Sequence, residues 1–234
     1  MQQPIIEIRD LYKIYNPGEN EVRALDGVSL EVWPGEFVAI VGHSGSGKST
    51  LMNMIGCLDV PTSGSYRLNG QDVSEMSDNE LSTVRNREIG FIFQSFNLIP
   101  NLSALENVEL PLIYRGLPAG ERYDLAVGAL ERVGLGERLD HRPSQMSGGQ
   151  QQRVAVARAI APRPPLILAD EPTGNLDSHA GAAVFEIIRS LHAEGNTVVL
   201  ITHDEGLARR AQRIVRITDG RIDSGEQPAE KEIF

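Results

Sequence analysis

Apolar and polar residues follow two rhythms along the chain. Near the N-terminus, PIIEI and VSLEV alternate with period two, the pattern of half-buried strands. Pro34-Gly35 predicts a turn. FVAIVG (37–42) is then apolar almost throughout, as for a strand covered on both faces. YRLNGQDV (66–73) predicts a short strand and a turn. In the middle the period lengthens toward that of a helix. SDNELSTVRN (77–86) predicts a helix start, with Ser77 as N-cap and Glu80 completing a capping box. IGFIF (89–93) predicts a strand, and AGERYDLAVGALERVGL (119–135) a helix stopped near Gly134 and Gly136. SGGQQQRVAVARAIA (147–161) predicts another helix, ended by Pro162 and the Pro164-Pro165 pair. Further on, strands and helices alternate: a strand at PLILAD (165–170), a helix over 180–195, a strand at NTVVLITH (196–203), and a hairpin around Asp219-Gly220. The polar tail EQPAEKEIF (226–234) reads as frayed. Strands alternating with helices predict an α/β fold with a mainly parallel sheet.

Composition narrows the picture. The 234 residues are 41% hydrophobic, enough for one large domain with a real core. A net charge of −10 disfavours nucleic acid as a partner. The one cysteine, Cys57, can make neither an internal disulfide nor a zinc cluster, and its apolar setting LMNMIGCLD predicts a buried small hydrophobe. The stretch MQQPIIEIRD lacks the apolar centre of a secretory signal. The longest apolar runs, such as TVVLI, are far shorter than the ~20 residues of a membrane span. The expectation is a soluble, cytosolic protein that meets a membrane only through a partner.

The chemistry is concentrated at GHSGSGKST. Gly42, His43, Ser44, Gly45, Ser46, Gly47, Lys48, Ser49 and Thr50 match the phosphate-binding pattern G-x-x-x-x-G-K-[ST] in full, between a predicted strand and a predicted helix. The glycines let backbone N–H groups close on phosphate oxygens. Lys48 would reach the β and γ phosphates, and the Ser49 hydroxyl would hold Mg²⁺. A dinucleotide fingerprint is excluded, because the order here is G-x-x-G-x-G with a following Lys. PLILADE ends a strand in Asp170, placed to hold Mg²⁺, and Glu171, placed to polarise a water. Two acids after a strand are often only a solvated turn; beside an intact phosphate loop they gain a role. His203 and Gln94 end strands in the same way, as candidates for γ-phosphate and Mg²⁺ contacts. A second segment, MSGGQ, opens a helix with Ser147, Gly148, Gly149 and Gln150, whose N–H groups would also suit a phosphate. One nucleotide needs only one such loop.

These residues, in order and spacing over nearly the whole chain, resemble the ATP-binding-cassette ATPases, the nucleotide-binding domains of ABC transporters. The resemblance implies a P-loop NTPase core with an N-terminal antiparallel β-subdomain. It implies a helical subdomain at about 95–165 inside a single domain, 1–234. It also implies ATP and Mg²⁺ as cofactors and ATP hydrolysis as the activity. Tyr15 matches the residue that stacks on adenine, and Gln94 the Q-loop glutamine. MSGGQ matches the family signature, with Met146 in place of the commoner Leu. Glu171 matches the catalytic acid, Asp177 the D-loop, and His203 the switch histidine. The family forms dimers in which each chain's signature faces the other's ATP, which answers why two phosphate grips occur in one chain.

EPTGNLDS, MNMIGCLD and VRNREIGFIFQSFNLIPNLSALENVELPL resemble, more narrowly, the macrolide-exporter and lipoprotein-release group. His43 departs from it, where Pro or Ser is usual. The resemblance implies four further features: a second, identical ATPase chain, an integral membrane permease, a periplasmic or extracellular adaptor, and a place on the cytoplasmic face of the membrane. The apolar segment SFNLIPNLSALENVELPLIY would receive a permease helix. Two other functions compete. One is a mechanotransmission ATPase regulating extracytoplasmic enzymes. The other is a soluble ABC ATPase of DNA repair or translation, disfavoured by the single cassette, the single Cys and the absence of heptads. A P-loop kinase would lack MSGGQ.

Overall fold

The period-two stretches of the N-terminus pair with one another in the computed structural model, which describes residues 3–18 and 20–226. From residue 227 on, the tail expected to fray lies outside the described residues. The chain divides into two compact units, Met1–Arg85 with Thr197–Phe234, and Asn86–Asn196.

In the first unit, β1 (Ile6–Tyr15) is central to an antiparallel sheet. It is flanked by β2 (Val22–Val32) and β4 (Ser63–Leu68), with β5 (Gln71–Asp72) at the edge. Ile6 faces Val32 on one side and Leu68 on the other. A bulge interrupts β1 between Ile8 and Leu11, where Asp10 takes φ 45°. It moves the buried positions from Ile6 and Ile8 to Leu11, so the alternation changes phase within one strand.

The buried strand β3 (Phe37–Val41) runs parallel between β8 (Thr197–Ile201) and β9 (Arg213–Thr218). All five β3 residues are buried, as a doubly covered strand requires. The edge is β10 (Arg221–Glu226), antiparallel to β9 across Asp219 (φ 47°) and Gly220 (φ 75°). Two consecutive positive φ angles are what the predicted two-residue hairpin demands. Helix α1 (Lys48–Ile55) follows β3. Tyr66 of β4 is buried and donates its hydroxyl to Ile55 O at 2.8 Å, fastening the antiparallel sheet to the end of α1. Cys57 is buried as expected, and burial pushes its thiol up to about 12. The short α7 (Glu205–Ala208) is capped by Asp204.

Helix α2 (Asp78–Glu88) carries the chain into the second unit. Half of its predicted capping box forms. Glu80 accepts the Ser77 N–H at 2.9 Å, but the Ser77 hydroxyl donates to the same carboxylate oxygen at 2.6 Å. In the second unit, β6 (Ile89–Phe93) and β7 (Leu166–Asp170) pair in parallel, with Phe93 opposite Asp170. Helices α3 (Ala104–Tyr114), α4 (Ala119–Arg132), α5 (Gly148–Ile160) and α6 (Ser178–Ala193) complete it, with α5 packed against the other three and against β6. Its apolar face, from Val154 to Ile160, is buried. Before α3 the loop is held by fully buried Asn107. Its amide accepts from Ile99 N and donates to the carbonyls of Ile99, Leu102 and Ser103. No helix among the described residues is long and apolar enough to cross a membrane.

Candidate functional site

The phosphate loop is shaped by contacts that only glycine permits. A Cβ on Gly42 would lie 2.3 Å from Ile217 O and 2.5 Å from Ser46 Oγ. Gly47 takes φ 105°, and a Cβ there would lie 2.6 Å from Ala24 O. The neighbouring hairpin clasps the loop, with Gly220 N donating to Ser46 O at 2.9 Å. Gly47 occupies the N-cap of α1 without any side-chain cap, and no acidic residue stands in the first turn. The positive end of the helix is therefore left to whatever sits in the loop. Lys48 folds back over the loop, its Nζ 2.6 Å from Gly42 O and 2.8 Å from His43 O. The Ser46 hydroxyl is buried without a partner among the described residues. Backbone donors, an ammonium and the exposed Ser49 hydroxyl together make an anion cradle that fits a nucleotide's phosphates. His43 turns outward: its Nδ1 meets Ser44 O at 2.8 Å, and its Nε2 lies 3.9 Å from Asp219.

Two further residues of this unit were expected at the site. Thr202 N donates to Ile40 O at 3.1 Å, so His203 leaves the sheet at the edge where β3 enters the loop. Tyr15, at the end of β1, is 38% exposed. Asp59 accepts the Tyr15 hydroxyl at 3.3 Å and pairs with Lys13 at 2.7 Å, and the Lys13 ammonium stands 5.2 Å from the Tyr15 ring centroid. Desolvation raises the Asp59 pKa, but hydrogen bonds from Lys13 and the Val60 N–H outweigh it and hold the carboxyl below its ordinary value.

The other candidates lie in the second unit. The pairing of Phe93 with Asp170 brings Gln94 and Asp170 out at the same edge. Glu171 follows at φ 44°, a strained conformation for a side chain of this size. Asp177 caps α6, accepting from Ala180 N at 2.9 Å. Ser147 caps α5 and forms a full capping box with Gln150, at 2.9 and 3.3 Å. That leaves the N–H groups of Gly148 and Gly149 at the open end of the helix. A Cβ on Gly149 would lie 2.8 Å from the Ala180 Cβ, so glycine is what lets α5 press against α6 here. Met146 is buried, filling the place of an apolar Leu.

Two amides that no motif marks also shape the site. Gln152 is fully buried and donates to Phe93 O at 3.1 Å and Pro172 O at 2.6 Å, tying α5 to the segments that carry Gln94 and Glu171. Asn175 pairs with Gln94: Gln94 Nε2 donates to Asn175 Oδ1 at 3.1 Å, and Asn175 Nδ2 donates to Gln94 O at 3.2 Å. A Gln within the apolar stripe of α5 was the one available signal for Gln152.

A strand, a glycine-shaped loop ending in Lys48 and an uncapped helix define a P-loop nucleotide-binding protein. The family model described as ABC transporter matches residues 25–174. The chain is 57% identical over 223 residues to an uncharacterized ABC transporter ATP-binding protein of Thermotoga maritima, covering 95% of each. It is 54% identical over 234 residues to the macrolide export ATP-binding/permease protein MacB of Hyphomonas neptunium. That match covers 99% of this chain and spans 36% of the relative's length. Among solved structures it is similar to the ATP-binding cassette MJ0796, a dimer in a post-hydrolysis state bound to ADP and Pi. The TM-score is 0.87 at 44% identity, covering 97% of this chain and 100% of that one. The chain belongs to the ABC transporter family, as an ATP-binding cassette with the ATPase fold.

Proposed function

We propose that the chain is the ATPase subunit of an ABC exporter, in which MgATP closes a head-to-tail pair of chains and hydrolysis reopens it. The observation that carries this reading is the pair of helix N-termini, one at Gly47–Lys48 and one at Ser147–Gly149, each with N–H groups left to an anion. In a two-fold dimer each site takes its phosphate loop from one chain and its signature from the other.

The roles are those the family resemblance implies, and the chemistry of each group suits them. Tyr15 stacks on adenine. The loop N–H groups from Gly42 to Thr50 hold the phosphates, and Lys48 exchanges its carbonyl partners for β- and γ-phosphate oxygens. Ser49, Gln94 and Asp170 would hold Mg²⁺, which would supply neutralisation of developing phosphate charge. Glu171 takes a proton from the attacking water, and His203 donates a hydrogen bond to the γ-phosphate. Ser147, Gly148, Gly149 and Gln150 face the partner's ATP, with Asp177 at the same interface. The ATPase sits on the cytoplasmic membrane face through a permease. Exposed Ile99, Ile113 and Tyr114 supply apolar surface for a permease helix. The export type rests on relatives named for macrolide export and, at 54% identity over 231 residues, on a pyoverdine export ATP-binding/permease protein of Pseudomonas aeruginosa.

The test is capture from detergent-solubilised host membranes by tagged Glu171→Gln protein with MgATP. Recovery of a permease with few spans and a large outer domain is expected. Recovery of nucleic acid or soluble partners, with no membrane protein, would contradict it.

A further inference from the structure

We propose that Asn175 is a positioning residue for Gln94: it fixes the orientation of the Gln94 amide so that Oε1 is presented as a cation ligand. The inference rests on the proposed Mg²⁺ role of Gln94. The backbone carbonyl of Gln94 can only accept, so the group facing it at 3.2 Å must be the Asn175 NH₂. Asn175 is thereby fixed, and its Oδ1 faces the Gln94 side chain. An amide oxygen can only accept, so Gln94 must present Nε2 to it, at 3.1 Å. The remaining atom, Gln94 Oε1, has no partner among the described residues and keeps both lone pairs. A flipped Gln94 would set two oxygens against each other and offer a cation an NH₂ group, which cannot ligate it.

Two neighbouring features support the pair. A Cβ on Gly174 would lie 2.7 Å from Gln94 Nε2 and 3.1 Å from its Cδ, so glycine at this position makes the room the amide occupies. Gln152 independently ties together the two backbone segments that carry the pair, through Phe93 O and Pro172 O. Asn175 also stands in the turn that follows Glu171, where Gly174 N donates to Glu171 O at 3.0 Å. The Gln94 amide is thus referenced to the strand end that carries both acids.

The test measures Mn²⁺ affinity by electron paramagnetic resonance in the full chain with ATP, in a Glu171→Gln background that stops turnover. Asn175→Leu keeps the branching at Cγ and removes both hydrogen bonds. It is expected to lower Mn²⁺ affinity about tenfold, the low end of what a partner of a metal ligand contributes. Metal-free nucleotide affinity should be unchanged. Gln94→Ala should give a comparable loss, and the double variant no further loss. A folding defect is separated by the side-chain ¹⁵N resonance of Gln94 in nucleotide-free protein, which should move in an otherwise native spectrum. If Gln94→Ala leaves Mn²⁺ affinity intact, the proposed cation role of Gln94 falls and the inference with it. If Gln94→Ala loses affinity while Asn175→Leu does not, or if the losses add, the positioning role alone is overturned.

Discussion

Single residues decide the phosphate loop, and glycine positions that look alike in sequence differ in what they tolerate. Gly45 and Gly47 both hold positive φ, at 80° and 105°. Nothing lies within 4 Å of a Cβ on Gly45, whereas one on Gly47 would strike Ala24 O. Gly45→Ala should therefore cost about 1–2 kcal/mol of stability from backbone strain alone. Gly47→Ala adds a steric clash, should cost about 2–5 kcal/mol, and should abolish nucleotide binding. Chemical denaturation with a fluorescent-nucleotide titration checks both. At this scale the loop was legible because its residues are consecutive. Gln152 and Asn175 were not, because the partners of Gln152 lie 59 and 20 residues away and that of Asn175 lies 81 residues away. A single sequence gives no sign of which distant carbonyl an amide will meet.

Among the elements, α5 combines a structural cap with a proposed nucleotide-facing surface, and the two can be separated. Ser147→Ala removes an N-cap and should cost about 1 kcal/mol in a thermal or denaturant melt. Ser147→Asp keeps a capping oxygen and adds a negative charge that suits the helix dipole, so stability should hold. That same charge would repel the partner's phosphate and should abolish ATP-dependent association, read by size-exclusion chromatography. Most elements were legible from periodicity, because α6 and β3 bury one stripe or both faces without interruption. The second half of β1 was not, since the bulge at Asp10 breaks the alternation. Nor was α3, which carries Pro111 inside the helix and buries the polar Asn107. Its true start signal was the Ser103–Glu106 capping box, in which Glu106 accepts the Ser103 N–H at 2.7 Å.

On the scale of the whole molecule, the phosphate loop and the second proposed grip belong to different units, one to Met1–Arg85 with Thr197–Phe234 and one to Asn86–Asn196. The fold class and the family were legible because the motifs retain order and spacing along the chain. Under the proposed function substrate contacts would lie in a permease, so no motif of this chain carries a signal for the cargo. In the proposed function ATP joins two chains through their complementary helix N-termini. Analytical ultracentrifugation of Glu171→Gln, with and without saturating MgATP and with Lys48→Ala added as a control, tests it most directly. The expected results are a dimer with MgATP, a monomer without it, and a monomer for the double variant in both conditions. A nucleotide-saturated Glu171→Gln protein that sediments as a monomer would contradict it.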